Sequence, residues 1–129
     1  MIILDENVVN SQRKTLLRKR YHVRQIGYEL GRKGMSDRDI LPLLRTLHRP
    51  TLLTSDDDSY VRDLCDTRYS LIVLGIEEQA FAEYSIRVLR HPSFAKWRLR
   101  MGKTLSVTRG AIRFWQHKSH RETRLPWND

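Results

Sequence analysis

Ile2-Ile3-Leu4-Asp5-Glu6-Asn7 is a continuous apolar run that stops abruptly at two acids and an asparagine. Large apolar residues without polar alternation read as a strand buried on both faces, and the polar stop reads as a turn. The pattern recurs along the chain. His22–Tyr28 and Thr51–Thr54 read as strands, the latter running into Ser55-Asp56-Asp57-Asp58, and Leu71–Gly75 is four large apolar residues ended by glycine.

Helical segments separate these runs. Between Val8 and Arg20, apolar Val9, Leu16 and Leu17 sit among Arg and Lys, the spacing of a basic amphipathic helix. Gly31 and Gly34 punctuate the loop after the second strand. Ser36-Asp37-Arg38-Asp39 reads as a helix start, and Pro42 argues for Asp39 as the N-cap, because proline is tolerated only in the first turn. The main helix is therefore expected over 39–48. A helix over Ser59–Cys65 follows the third strand. Glu77–Arg90 reads as a helix with acids in its first turn and Arg87 and Arg90 in its last, stopped by Pro92.

Beyond that point a short helix near Phe94–Met101 and strands near Thr104–Thr108 and Ile112–Trp115 are expected. The order βαβαβαβα requires parallel strands joined by right-handed crossovers. The expected fold is a three-layer α/β/α sandwich with a mainly parallel central sheet, one domain over 1–116 and a flexible polar tail over 117–129.

Composition sets the class. The 129 residues are 40% hydrophobic and 30% charged, as in a soluble globular domain. No apolar run approaches the roughly 20 residues of a membrane span, and the N-terminus carries no basic leader. The single cysteine, Cys65, cannot form an internal disulfide and reads as a buried structural thiol. A cytoplasmic location is the expectation.

Charge divides unevenly. Residues 1–86 carry 13 Lys/Arg and 13 Asp/Glu, whereas 87–129 carry 11 Lys/Arg against Glu122 and Asp129, so the whole excess of +9 lies in the last third. Such asymmetry points to a polyanionic partner. Arg98, Arg100, Lys103, Arg109 and Arg113 are the candidates to hold phosphates. Trp97, Trp115 and Trp127 interleave them, though Trp97 and Phe114 are expected in the core. His117 and His120 form a lone pair in a polar segment with no further ligand, and Gly31-Arg32-Lys33-Gly34 lacks the spacing of a phosphate-binding loop.

Ligands of parallel α/β sheets bind beyond the carboxyl ends of the strands. Three segments deliver acids to that edge: Asp5 and Glu6 after the first strand, Asp37 and Asp39 at the helix after the second, and Asp56, Asp57 and Asp58 after the third. Carboxylates brought together repel, and a divalent cation relieves the conflict. An all-oxygen set favours Mg²⁺ or Mn²⁺ over zinc. Such an ion beside a basic flank suits phosphodiester hydrolysis.

Leu4-Asp5-Glu6-Asn7, Ser36-Asp37-x-x-Ile40 and Leu52-Leu53-Thr54-x-Asp56-x-Asp58-x-Tyr60 together resemble the small PIN-like proteins that begin with an LDEN motif, relatives of the VapC-type toxins, over roughly residues 1–90. The resemblance implies an α/β/α sandwich and a Mg²⁺- or Mn²⁺-dependent endoribonuclease. Asp5, Asp37 and Asp56 match the metal-ligating acids and Asp58 follows closely as a further ligand or holder of the attacking water. Thr54 and Asn7 match supporting positions. RNA is the implied substrate, with DNA the alternative. An antitoxin protein is the candidate partner and a homodimer the candidate assembly. Val8–Arg20 departs from the family by holding no acid where such nucleases carry a helical glutamate; Glu6 or Asp39 are the candidate substitutes, and Glu29 falls in a different context. The alternative reading is a catalytically inactive PIN-like module that binds nucleic acid or a partner protein.

Overall fold

A computed structural model describes residues 1–60 and 62–127, with Asp37 described by its backbone alone. Seven strands build one sheet: β1 Ile2–Leu4, β2 Val23–Gln25, β3 Thr51–Thr54, β4 Ser70–Leu74, β5 Lys103–Val107, β6 Ala111–Gln116 and β7 Thr123–Pro126. Their spatial order is β2-β1-β3-β4-β5-β6-β7. The first five are parallel; β6 and β7 are antiparallel additions at the far edge. The helices are α1 Asn10–Arg18, α2 Asp37–Thr46, α3 Phe81–Leu89 and the single turn α4 Trp97–Arg100. Among the described residues no helix is long and apolar enough to cross a membrane.

The unbroken apolar runs work as the sequence requires. Leu4, Leu53, Ile72 and Leu105 stand in one row of paired residues and belong to the cluster that contains Leu16 of α1 and Phe81 and Val88 of α3. Their neighbours Ile3, Leu52 and Leu71 form the next row and pack with Ile40 and Leu44 of α2. Period-two alternation thus serves two apolar clusters, and each Leu or Ile removed from water contributes about 1.5–3 kcal/mol.

Several local expectations change. α2 begins at Asp37 with Ser36 as its N-cap, not at Asp39, and Pro42 lies inside the helix. Asp39 and Ile40 both donate to the Ser36 carbonyl, so the first turn closes before the proline. Pro42 removes one internal bond, a cost of about 3 kcal/mol that burial of Ile40 and Leu44 offsets. In place of a helix over 59–65 there are two 3₁₀ turns, Asp57–Ser59 and Arg62–Leu64. Cys65 follows them half-buried, its thiol near Thr104 Oγ1 and the Trp115 carbonyl. The segment expected to be a polar tail supplies β7, because Leu125 packs against the α1/α3 cluster and β7 completes the free edge of β6. Trp97, expected in the core, is 40% exposed, with the Arg49 guanidinium stacked 3.6 Å from its ring centre. Phe114 packs against the core edge-to-face with Phe94.

Candidate functional site

β1 connects through α1 to β2 on one side, and the chain then returns to place β3 on the other. The order of strands therefore reverses between β1 and β3, which is where a parallel α/β sheet opens a crevice. Asp5 follows the last residue of β1, and its backbone N–H donates to the Leu53 carbonyl of β3 at 3.0 Å. Asp5 also follows Leu4 by one residue, so its side chain leaves the sheet on the α2 side. Thr54 does the same from the end of β3.

The two meet. Thr54 Oγ1 donates to Asp5 Oδ2 at 2.9 Å and accepts from the Asp56 N–H at 3.1 Å. Asp56 then caps the turn that follows it, its Oδ1 accepting from the Asp58 N–H at 3.0 Å. Asp5, Thr54, Asp58 and Ser59 share a cavity of about 40 Å³ with the apolar side chains of Ile40, Leu41, Leu52, Leu64 and Leu71. That volume accommodates a small ion with a water or two and excludes a nucleotide.

Asp37 opens α2, whose first two turns supply Ile40 and Leu41 to the same cavity; its side chain lies outside the described residues. The candidate substitutes for the absent glutamate are engaged elsewhere. Glu6 accepts from the Gly34 N–H with both carboxylate oxygens near 3.0 Å. Asp39 pairs with Arg32 at 3.1 Å and accepts from Ser36 Oγ. Asn7 lines a separate cavity on the other side of β1, with Val8, Gln12, Ser55 and Glu78.

The donor chemistry suits a hard cation: carboxylate and hydroxyl oxygens, with no sulfur or imidazole in the cavity. Among the described residues, no three His, Cys, Asp or Glu side chains form a metal-holding group. The acids that line the cavity are Asp5 and Asp58; Asp56 meets Thr54 through its backbone N–H, while its carboxylate caps the Asp58 N–H and does not line the cavity.

A brace behind the site carried no signal in the motifs. Gln25 is 3% exposed at the end of β2, and its amide donates to the carbonyls of Asp5, Glu6 and Val8 at 3.0, 3.2 and 2.8 Å. Arg13 of α1 donates to Gln25 Oε1 and to Glu29, which holds the Glu29 carboxyl below its ordinary range. The loop bearing Asp5 is thereby fixed from below. β2 reads Val23-Arg24-Gln25, buried–exposed–buried, so the alternation that buries Val23 also buries Gln25, and that is the clue the sequence offers.

The candidate phosphate-binding cations divide. Lys103 begins β5, at the amino end of the sheet and so opposite the acids, and its ammonium donates to the Leu99 carbonyl at 2.8 Å. Arg98 is exposed on α4, in the connection that leads into that end. Arg100 is buried there, bonded to Thr51 Oγ1 and to the carbonyls of Phe94 and Ala95. Arg109 lies in the β5–β6 turn at the carboxyl end of β5, paired with Glu77 and bonded to the Tyr84 hydroxyl. Arg113 is exposed on β6, its guanidinium 5.9 Å from the Tyr60 ring centre. The basic third of the chain is not one surface.

Comparison with protein-family models, with curated proteins and with solved structures gave no match to this chain.

Proposed function

We propose that the protein is a metal-dependent nuclease of PIN-like fold, an α/β/α sandwich that hydrolyses phosphodiester bonds, with RNA as substrate. The observation that carries this reading is the shared cavity of Asp5 and Asp58 at the β1/β3 crevice, with Thr54 joining Asp5 to the Asp56 backbone. The two helix-bearing apolar clusters support the layered architecture.

Asp5, Asp58, Asp56 and Asp37 would hold Mg²⁺ or Mn²⁺, which supplies a water of lowered pKa and a counter-charge for the attacked phosphate. Thr54 fixes the Asp5 carboxylate, and Ile40, Leu52 and Leu71 wall the cavity beside it. Arg113 is the basic residue of the original set that shares the sheet face of the pocket and pairs with no carboxylate among the described residues. A PIN-like toxin would in addition be masked by an antitoxin protein, a partner this reading admits.

The test is cleavage of single-stranded RNA by the purified chain with and without Mg²⁺ or Mn²⁺. Asp5→Asn is expected to abolish cleavage and leave the thermal melt intact; a variant that still cuts overturns the reading. Matched DNA substrates decide the sugar.

The inactive module is the second reading, and one observation favours it. α1 holds no acid, and both Glu6 and Asp39 are bonded away from the cavity. It predicts salt-sensitive nucleic-acid binding with no turnover in either metal.

A further inference from the structure

We infer that the β6–β7 ribbon carries a track for the phosphates of a single-stranded nucleic acid, centred on Arg113 and Arg124. The pairing register puts Thr54, Val73, Ser106, Arg113 and Arg124 in one row across β3 to β7. Residues paired across strands share a face. Ile112, Phe114 and Leu125, the immediate neighbours along the ribbon, pack into the α1/α3 cluster. Arg113 and Arg124 therefore point the other way, onto the face where Thr54 meets Asp5. At about 4.8 Å per strand, their backbones lie about 14 and 19 Å along the row from Thr54.

The ribbon is built at a cost that an anion would relieve. Like charges directly opposite each other on adjacent strands destabilise a sheet. The other ribbon pairs, Ala111 with Pro126, Ile112 with Leu125 and Phe114 with Thr123, carry no charge. Among the described residues neither arginine forms an ion pair, and both are exposed. Glu122, the nearby acid in sequence, is bonded to the Tyr60 hydroxyl. Two adjacent guanidiniums offer planar donor forks that match phosphate oxygens. Val73 and Ser106, between Thr54 and Arg113 in the row, are buried, so the open track is the ribbon itself.

The choice of RNA rests on the nuclease reading; the ribbon's affinity is measured without metal, so the two can fail separately. The probe is a labelled single-stranded oligouridylate titrated with the full chain in EDTA at several salt concentrations. Arg113→Gln with Arg124→Gln is expected to weaken binding about tenfold or more and to lower the salt slope by about 1.4, the value for two phosphate contacts on a single strand. Arg124→Glu is expected to weaken binding while raising the melting temperature, because it converts a repulsive pair into an attractive one. Arg90→Gln, exposed at the end of α3, changes neither. Parental affinity and salt slope in the double variant overturn the proposal. So does an equal loss in Arg90→Gln, or a parent that binds phosphatidylserine vesicles but not the oligouridylate. Binding with this pattern and no cleavage supports the ribbon and overturns the nuclease.

Discussion

The Thr54 hydroxyl donates to Asp5 across 49 residues of sequence, 2.9 Å from the carboxylate oxygen, and it is the one link from β3 that fixes that side chain. The same oxygen accepts from the Asp56 N–H, so a single hydroxyl orders both the first acid and the turn that carries the others. Thr54→Val keeps the volume and removes both bonds. It is expected to cost about 1–3 kcal/mol in urea denaturation, because a part-buried N–H is left unpaired. If the cavity holds Mg²⁺, losing a residue that orients a ligand should also weaken metal affinity about 10–100-fold, read from a Mg²⁺ titration of cleavage. Thr54→Ser should restore both quantities.

What could be read from the residues divides by range. Apolar runs such as Ile2–Leu4 and Leu71–Leu74 are buried on both faces, and no competing pattern obscures them. The polar breaks after them place Asp5 and Asp56–Asp58 at strand ends, so the acidic edge was legible. Whether those acids meet depends on strand order, and nothing local encodes that β1 lies beside β3. Pro42 misled because a helix packed through Ile40 and Leu44 can absorb a missing bond that an isolated helix could not. β7 was hidden because only Leu125 and Trp127 among its polar neighbours face the core, too few for a periodic signal. The basic residues were legible as a charge total and illegible as a surface, since Arg100 and Lys103 turn inward at the wrong end of the sheet.

Gly27 holds φ at +86°, and a Cβ built there would stand 2.8 Å from Glu6 Oε2. That carboxylate is what gathers the Gly34 N–H, so any side chain at 27 displaces the contact between the β1 and β2 loops. Gly27→Ala should therefore destabilise by about 1–2 kcal/mol from the backbone conformation, with a further loss from Glu6. Urea midpoints of Gly27→Ala, of Glu6→Gln and of the two combined separate the contributions. The double variant should lose less than the sum of the single changes, because the contact can be broken only once.

Arg100 is 6% exposed, and burial holds its guanidinium below the ordinary range of arginine. Its partners are a hydroxyl and two carbonyls, at distances of 2.9 to 3.2 Å, and among the described residues no carboxylate pairs with it. It ties the turn before α4 to the start of β3. Arg100→Met fills the volume and removes those bonds, so stability should fall by about 2–3 kcal/mol. RNA affinity and its salt slope, measured well below the new melting temperature, should stay at parental values. A reduced slope would return Arg100 to the set of phosphate contacts.

Asp66 joins two elements, accepting from Arg45 near the end of α2 at 3.1 Å and from the Arg68 guanidinium at 3.0 and 2.9 Å. The Arg68 hydrogen bonds, aided by Arg45, hold its carboxyl far below the usual carboxylate range. A folded-state value below the unfolded value of about 3.9 means the unfolded chain binds the proton first as pH falls. The stabilisation is thus complete at neutral pH and is lost progressively as pH drops below about 4. Asp66→Asn should melt below the parent at about pH 7, and the gap should narrow toward about pH 3. A gap that holds constant across that range would show that Asp66 acts through contacts an asparagine lacks at every pH, its amide NH2 being unable to accept from the arginines, and not through its charge.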